Sequence, residues 1–319
     1  MSNEPRELEL VLPATSANLG PAFDAAALAV RMHLRVQAAP AAAFHIEARG
    51  RDAGICGNMD HNLLLATYRE VLQQQRRDIR PLDLVIDNDI PIGKGLGSSA
   101  AARLAGIALA AHFGDLGWDD ARILEEAVRR ERHGDNVAAC WLGGFAVVRW
   151  QGTAGPHQPF RAHKLDVHGD WPLLIAIPGD ALATEHARAV LPDSYSRTDA
   201  VANVQSAMLL AAAFMSGRAD LVSDALHDRI HQPYRTGLCP LLDPLRSLTG
   251  RDGILGAALS GAGPSVLVVL DPATDAAAAR DRVAAFLGER DLTAELLLTS
   301  IETRGARDSR RIGIPAGHN

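Results

Sequence analysis

Apolar and polar residues alternate along much of the first third of the chain, a period that predicts strands. Leu8 to Leu12 is apolar on every second residue. Val30, Met32, Leu34 and Val36 alternate with Arg31, His33 and Arg35, as in a strand with one buried face. Phe44, Ile46 and Ala48 repeat the pattern, and Leu82 to Ile86 forms a fourth run. Asn62 is placed to cap a helix reaching about Gln75. The period then lengthens. Ala101, Leu104, Ala108 and Ala111 share one helical face, which Gly114 ends. A second helix opens on Asp119 and Asp120, acids suited to a first turn, and runs to about Arg132. Leu142 to Trp150 predicts a strand.

Gln151 to Gly169 is rich in Gly, Pro and His and has no period, so a domain boundary is expected there. It divides the chain into 1–160 and 161–319. In the second part Leu173 to Ile177, Ile254 to Leu259 and Val266 to Leu270 predict strands. Ser196 is placed to cap a long helix through Met215, with Val201, Val204, Met208, Ala211 and Met215 turned inward. Ala219 to His231 and Ala276 to Leu287 predict further helices. The arginine-rich tail from Arg304 is expected to be mobile. The whole predicts an α+β protein of two domains.

Composition narrows the function. Of 319 residues, 47% are hydrophobic, enough for a sizeable core. The net charge of -6 argues against a nucleic-acid binder that neutralises phosphates. Cys56, Cys140 and Cys239 have neither zinc nor disulfide spacing and fit a reducing cytoplasm. The start, MSNEPRELEL, is charged and does not read as a signal peptide. Ile254 to Leu270 lacks charge, but Gly256, Gly261, Gly263 and Pro264 interrupt it. A cytoplasmic protein with no membrane span is therefore expected.

The strongest chemical signal is Pro91 to Ala101, PIGKGLGSSAA. Its glycines let backbone approach a polyanion closely. The N–H groups of Gly97, Ser98 and Ser99 stand where the next helix has unpaired donors and the positive end of its dipole. The two hydroxyls suit phosphate oxygens or a magnesium ion. The bland reading is a tight turn before a core helix. The spacing is neither a Walker A loop nor a dinucleotide fingerprint.

Leu124, Val128 and Glu131 fall on one helical stripe, which puts a carboxylate on an apolar face. Such a group needs a partner. A magnesium ion bridging phosphates would serve, and so would Arg129, Arg130 or Arg132. His133, Asp135 and Asn136 follow, suited either to cap the next element or to orient a substrate hydroxyl. His227 and His231, four residues apart on the predicted helix, resemble a zinc-hydrolase pair. Asp228 stands in place of the general-base glutamate and no third ligand is evident.

Three motifs in order resemble the GHMP kinase family: Pro13 to Gly20, Pro91 to Ala101, and Leu259 to Ser265. The similarity runs from about residue 8 to about residue 308. Within the family, PATSANLGPAFD, RHGDNVAACWLGGF, ATEHARAVLP, SRTDAV and HQPYR resemble the homoserine kinase branch. Ala22 departs from the glycine common in the opening motif, which bears on the acceptor more than on kinase chemistry. The resemblance implies an N-terminal domain like ribosomal protein S5 domain 2, a ferredoxin-like C-terminal domain, and ATP between them. It implies phosphorylation of homoserine with ATP and Mg2+, a step of threonine biosynthesis, or phosphorylation of another small alcohol. It is also compatible with a homodimer.

Carried over by position, the resemblance puts Pro91, Ile92, Gly93, Lys94, Gly95, Leu96, Gly97, Ser98, Ser99, Ala100 and Ala101 around the triphosphate. Asn62 lies near the adenine, and Ser98 and Glu131 hold the metal. Asn18, Asp24, His133, Asp135, Asn136, Arg188 and Arg235 surround the amino acid, and Thr184 lies by the transferred phosphate. Ser260, Gly261 and Gly263 form the late glycine loop. Arg188 or Arg235 suits the substrate carboxylate and Asp24 the ammonium. The branch favours direct transfer, with Asp135 the base if one acts.

Overall fold

The computed structural model describes residues 7–131, 133–150 and 160–313. Two sheets organise it. In the first, of seven strands, Leu8–Asn18 pairs along most of its length with the 19-residue strand Ala22–Pro40. That long strand also pairs with Phe145–Trp150 through Ala26 to Leu28 and with Leu82–Asn88 from Leu34 onward. His45–Gly50 runs parallel to Leu82–Asn88, and Phe160–Leu165 extends Phe145–Trp150. The expected alternation holds over Val30 to Val36, with Arg31 exposed. It fails over Ala26 to Val30, where every residue is buried, because the helix Asp135–Leu142 packs on this strand.

That helix corrects the sequence expectation of a strand from Leu142. Val137 to Leu142 is buried throughout, so no polar face marks a helical period, and the strand begins only at Phe145. Leu63–Gln74, Ser98–Phe113 and Asp120–Glu131 complete the layer, with Ser98–Phe113 packed against the other two. The second sheet is antiparallel, in the order Glu295–Ser300, Pro172–Ile177, Val266–Leu270, Ile254–Leu259. Leu242–Arg246 and Ala276–Gly288 pack against it. The expected two-domain α+β arrangement is present. Phe160–Leu165, which lies across the expected boundary, belongs to the first sheet, and residues 151–159 lie outside the described residues.

Three other expectations are corrected. The helix Arg197–Ser216 starts at Ser196, whose hydroxyl accepts from Asp199 N at 3.0 Å, but its buried face is Leu210, Ala213 and Phe214. Phe214 packs against Phe145 and Trp171, at ring separations of 5.6 and 4.7 Å. Val201, Val204, Met208 and Met215 are exposed, Met208 at 69%. Apolar residues surround the helix axis from Ala207 to Met215, so the pattern alone does not select a face.

The helix expected over Ala219 to His231 ends at Ala225. The Asp228 carboxylate then accepts from the N–H groups of Ile230 (2.7 Å), His231 (3.1 Å) and Gln232 (2.6 Å), which holds a turn. His227 and His231 share no helix, and this removes the zinc pair. Finally, the tail from Arg304 is packed as far as described. Ala306 is buried, the Ser309 hydroxyl donates to Val11 O at 2.8 Å, and Arg311–Ile312 pairs with Leu8 and Glu9.

Candidate active site

The turn after the first strand is built from unusual backbone. Asn18, Leu19, Gly20 and Asp24 all have positive φ, a region that Asn, Asp and Gly tolerate and Leu does not favour. Leu19 is held there by full burial. The Asn18 side chain fixes the result. Its amide donates to Gly261 O at 2.8 Å, and its oxygen accepts from Asp24 N at 3.0 Å. The opening motif is thereby tied to the late glycine loop, and Asp24 is aimed into a cleft of about 430 Å3.

The phosphate loop enters the same cleft. Gly97, at φ 72°, precedes the 16-residue helix Ser98–Phe113, whose first turn has no side-chain cap. A Cβ on Gly97 would lie 1.9 Å from Thr15 Oγ1, and one on Gly95 would lie 2.3 Å from Ser260 O. Backbone and side chains of three separate segments, around Thr15, Asn136 and Ser260, therefore close around this loop. Thr15 N donates to Leu96 O at 3.1 Å, Thr15 Oγ1 donates to Asn136 Oδ1 at 2.6 Å, and Ser260 Oγ donates to Gly95 O at 2.8 Å.

Asn62, Ile92, Gly93, Gly95, Gly97, Ser98, Ser99, Glu131, Asn18, Asp24, His133, Asp135, Asn136, Thr184, Arg188, Arg235 and Gly261 all line the cleft. Pro91, Lys94, Leu96, Ala100, Ala101, Ser260 and Gly263 do not. Leu96, Ala100 and Ala101 are fully buried beneath the loop, and Pro91 and Lys94 line a neighbouring groove. Asn62 also caps Leu63–Gln74, accepting from Leu65 N at 2.9 Å.

Two acids in the cleft are held above their ordinary range. Asp135 is pushed up to about 7, chiefly by burial and then by the nearby charge of Asp24. Its Oδ1 accepts from Asn136 N at 2.7 Å. Burial also raises Glu131, against the opposing charge of Arg103. The Glu131 Oε2 atom lies 2.8 Å from Arg103 Nε and accepts from Ser99 Oγ at 3.0 Å. The arginine beside Glu131 thus comes from the preceding helix, whereas Arg129 and Arg130 serve buried Glu126. Sequence reading missed Arg103, although Ser99 and Arg103, four apart on one helix, signalled a shared face.

A basic group faces these acids. Arg188 donates to both Asp24 oxygens, at 3.1 and 2.5 Å, and its guanidinium lies 5.2 Å from the Phe23 ring centre. Arg235 lies 5.3 Å from the same ring. It donates from Nε to Ala187 O at 2.8 Å, and its Nη1 is 3.1 Å from His231 Nδ1. Burial and the charge of Arg188 lower Arg235 to about 10. His231 is kept neutral by burial, lowered to about 4. Its Nε2 donates to Gly20 O at 2.8 Å, which leaves Nδ1 to accept from Arg235. Phe23 and His231 build the site by packing on and bonding its arginines, a role that the sequence reading did not give them.

The family description "GHMP kinases N terminal domain" matches residues 62–144, and "GHMP kinases C terminal" matches residues 210–289. A homoserine kinase of Solibacter usitatus is 47% identical over 263 residues, 82% of this chain and 84% of its own. One from Synechocystis is 40% identical over 268 residues, 82% of this chain and 85% of its own. The crystal structure of homoserine kinase from Cytophaga hutchinsonii shares the fold at TM-score 0.80. It is 23% identical and covers 98% of this chain and 99% of that one. No helix among the described residues is long and apolar enough to cross a membrane. With both halves matched and close relatives spanning most of its length, the chain belongs to the GHMP kinase family.

Proposed function

We propose that this chain transfers the γ-phosphate of ATP to the side-chain hydroxyl of homoserine, giving O-phosphohomoserine for threonine biosynthesis. One observation carries the reading. Asp24 and the Arg188–Arg235 pair stand together in the cleft that holds the mouth of an uncapped helix. A triphosphate suits the helix mouth, and a zwitterion suits an acid beside two arginines. The Asp24–Arg188 pair is one that an α-amino acid can replace, with its ammonium on Asp24 and its carboxylate on the guanidinium.

The acceptor hydroxyl then lies toward Asp135, Asn136 and Thr184. Its oxygen attacks the γ-phosphorus, the bond to the bridging oxygen breaks, and ADP departs. The hydroxyl proton passes to Asp135 or to the transferred phosphoryl oxygens. With Asp135 at about 7, either route is open near neutral pH. The carboxylate of Glu131 and the hydroxyls of Ser98 and Ser99 are hard oxygen donors that fit a magnesium ion. Glu131, raised by burial despite Arg103, is a carboxylate that a further cation would stabilise. Bound there, Mg2+ would neutralise charge on the phosphates. Self-association is part of the proposal, and sedimentation velocity tests it.

The decisive assay follows ADP release with ATP-Mg and a panel of homoserine, mevalonate, galactose and heptoses. Homoserine alone should support turnover. Arg235→Met should raise the homoserine KM by about tenfold or more, the scale of one lost charge-assisted contact, and leave the ATP KM nearly unchanged. Turnover with a sugar or mevalonate alone would refute the acceptor.

A further inference from the structure

We propose that Lys94 is a positioning residue, one that couples the phosphate loop to the helix carrying Thr184 and Arg188, and is not a phosphate ligand. The proposal rests on the kinase reading above and says how the donor and acceptor halves of that site are held in register.

The geometry is specific. Lys94 Nζ donates to the carbonyls of Pro178 (3.0 Å), Gly179 and Asp180 (2.8 Å). An ammonium has three N–H donors, and all three are used here. These carbonyls belong to the connection between the strand Pro172–Ile177 and the helix Thr184–Ala189. Leu182 N donates to Gly93 O at 3.3 Å, and Ala181 Cβ approaches Gly93 closely enough that a Cβ there would meet it at 3.4 Å. Gly93 and Lys94 are therefore stitched to residues 178–182 by backbone and side chain together.

What lies on each side of the stitch gives it meaning. One residue after Lys94 begins Gly95 to Ser98, which shapes the helix mouth. Two residues after Leu182 stands Thr184, and one turn further Arg188, which grips Asp24. Residues 179–181 are exposed and carry no regular secondary structure. Apart from Lys94, the described hydrogen bond from this segment to the loop is the Leu182–Gly93 one. Lys94 itself faces the neighbouring groove with Arg51, Asp52 and Glu295, not the cleft. In that groove Arg51 pairs with Glu295 across the two sheets, and the Asp52 carboxylate accepts from Ile92 N at 2.9 Å. The outer side of the phosphate loop is thus a seam between the two domains, with Lys94 at its centre.

A carbonyl cage and a phosphate make opposite demands on the side chain. A phosphate accepts a guanidinium as well as an ammonium, whereas a compact three-carbonyl cage fits only the point charge of lysine. Lys94→Met and Lys94→Arg, each with separate ATP and homoserine KM values, distinguish the two roles. Lys94→Met should raise the homoserine KM by about tenfold, since Arg188 sits on the released segment, and move the ATP KM by less than about threefold. Lys94→Arg should not restore it. A tenfold rise in the ATP KM alone, rescued by arginine, would overturn the proposal. Amide hydrogen exchange at Leu182 gives a readout independent of the acceptor. It should speed up in both variants while exchange in Val266–Leu270 stays unchanged. Wild-type exchange at Leu182 in Lys94→Met would overturn the proposal even if homoserine proved the wrong substrate.

Discussion

Replacing Asp135 by asparagine should make the protein more stable at pH 8 and less active. In the fold the Asp135 carboxyl is buried at the start of Asp135–Leu142 and held near 7, against an ordinary value of 3.8. Between those two values the folded chain keeps a proton that the unfolded chain has released. Unfolding free energy therefore falls as pH rises through that window. The gap is about three pH units, which at about 1.4 kcal/mol per unit is a cost of about 4 kcal/mol once Asp135 is ionised. Most of it, about 3 kcal/mol, accrues between pH 5 and pH 8. Asparagine keeps the oxygen that accepts from Asn136 N and carries no charge. Urea unfolding of both proteins at pH 5 and pH 8 tests this. The variant should gain on the wild type by about 3 kcal/mol between the two pH values, while turnover falls. An equal stability difference at both pH values would refute the reasoning, because a merely structural role for Asp135 has no pH dependence in this range.

On the acid side the sign reverses for His231, lowered to about 4 in the fold. The unfolded chain takes up a proton below about 6.5 that the folded chain refuses, so stability is lost as pH falls from about 6.5 to about 4. His231→Gln should flatten that limb of the curve, measured as the slope of stability against pH, whatever its absolute offset. At the phosphate loop, Gly97→Ala would put a methyl 1.9 Å from Thr15 Oγ1 on a backbone at φ 72°. It should break the Thr15–Asn136 hydrogen bond and abolish binding of a fluorescent ATP analogue while far-UV dichroism stays native. Retained nucleotide affinity would show that this loop does not hold the triphosphate.

Elements with one wet face were legible in the sequence. Val30 to Val36 emerged from its period because solvent and core select opposite residue types, and Leu63–Gln74 from its cap at Asn62. Asp135–Leu142 was hidden because the core surrounds it. The inward face of Arg197–Ser216 was misread because that helix is apolar on most sides, and the choice was made by Phe214 fitting between Phe145 and Trp171. In the site, Gly97 and Glu131 were found by local chemistry, and Asn18 by the resemblance of its motif. Their partners were not, because Arg103 meets Glu131, and Phe23 meets His231, only once separate segments pack together. Asp228 misled for a related reason. A side chain that caps its own turn competes with the helix that the spacing of its neighbours suggests.

The packed segment after Arg304 has a topological consequence. Gly313 N donates to Glu7 O at 3.0 Å, so the two ends of the described chain are neighbours. Between them the polypeptide builds most of the first sheet, leaves to make the second, and comes back to add the outermost strand. The halves are therefore not beads on a string. A fragment stopped at the domain boundary would lack Gly305, which lies against the backbone of Trp141 and Leu142 at the far end of the helix that begins with Asp135. A chain rejoined at residues 7 and 313 and opened elsewhere would keep every one of these contacts.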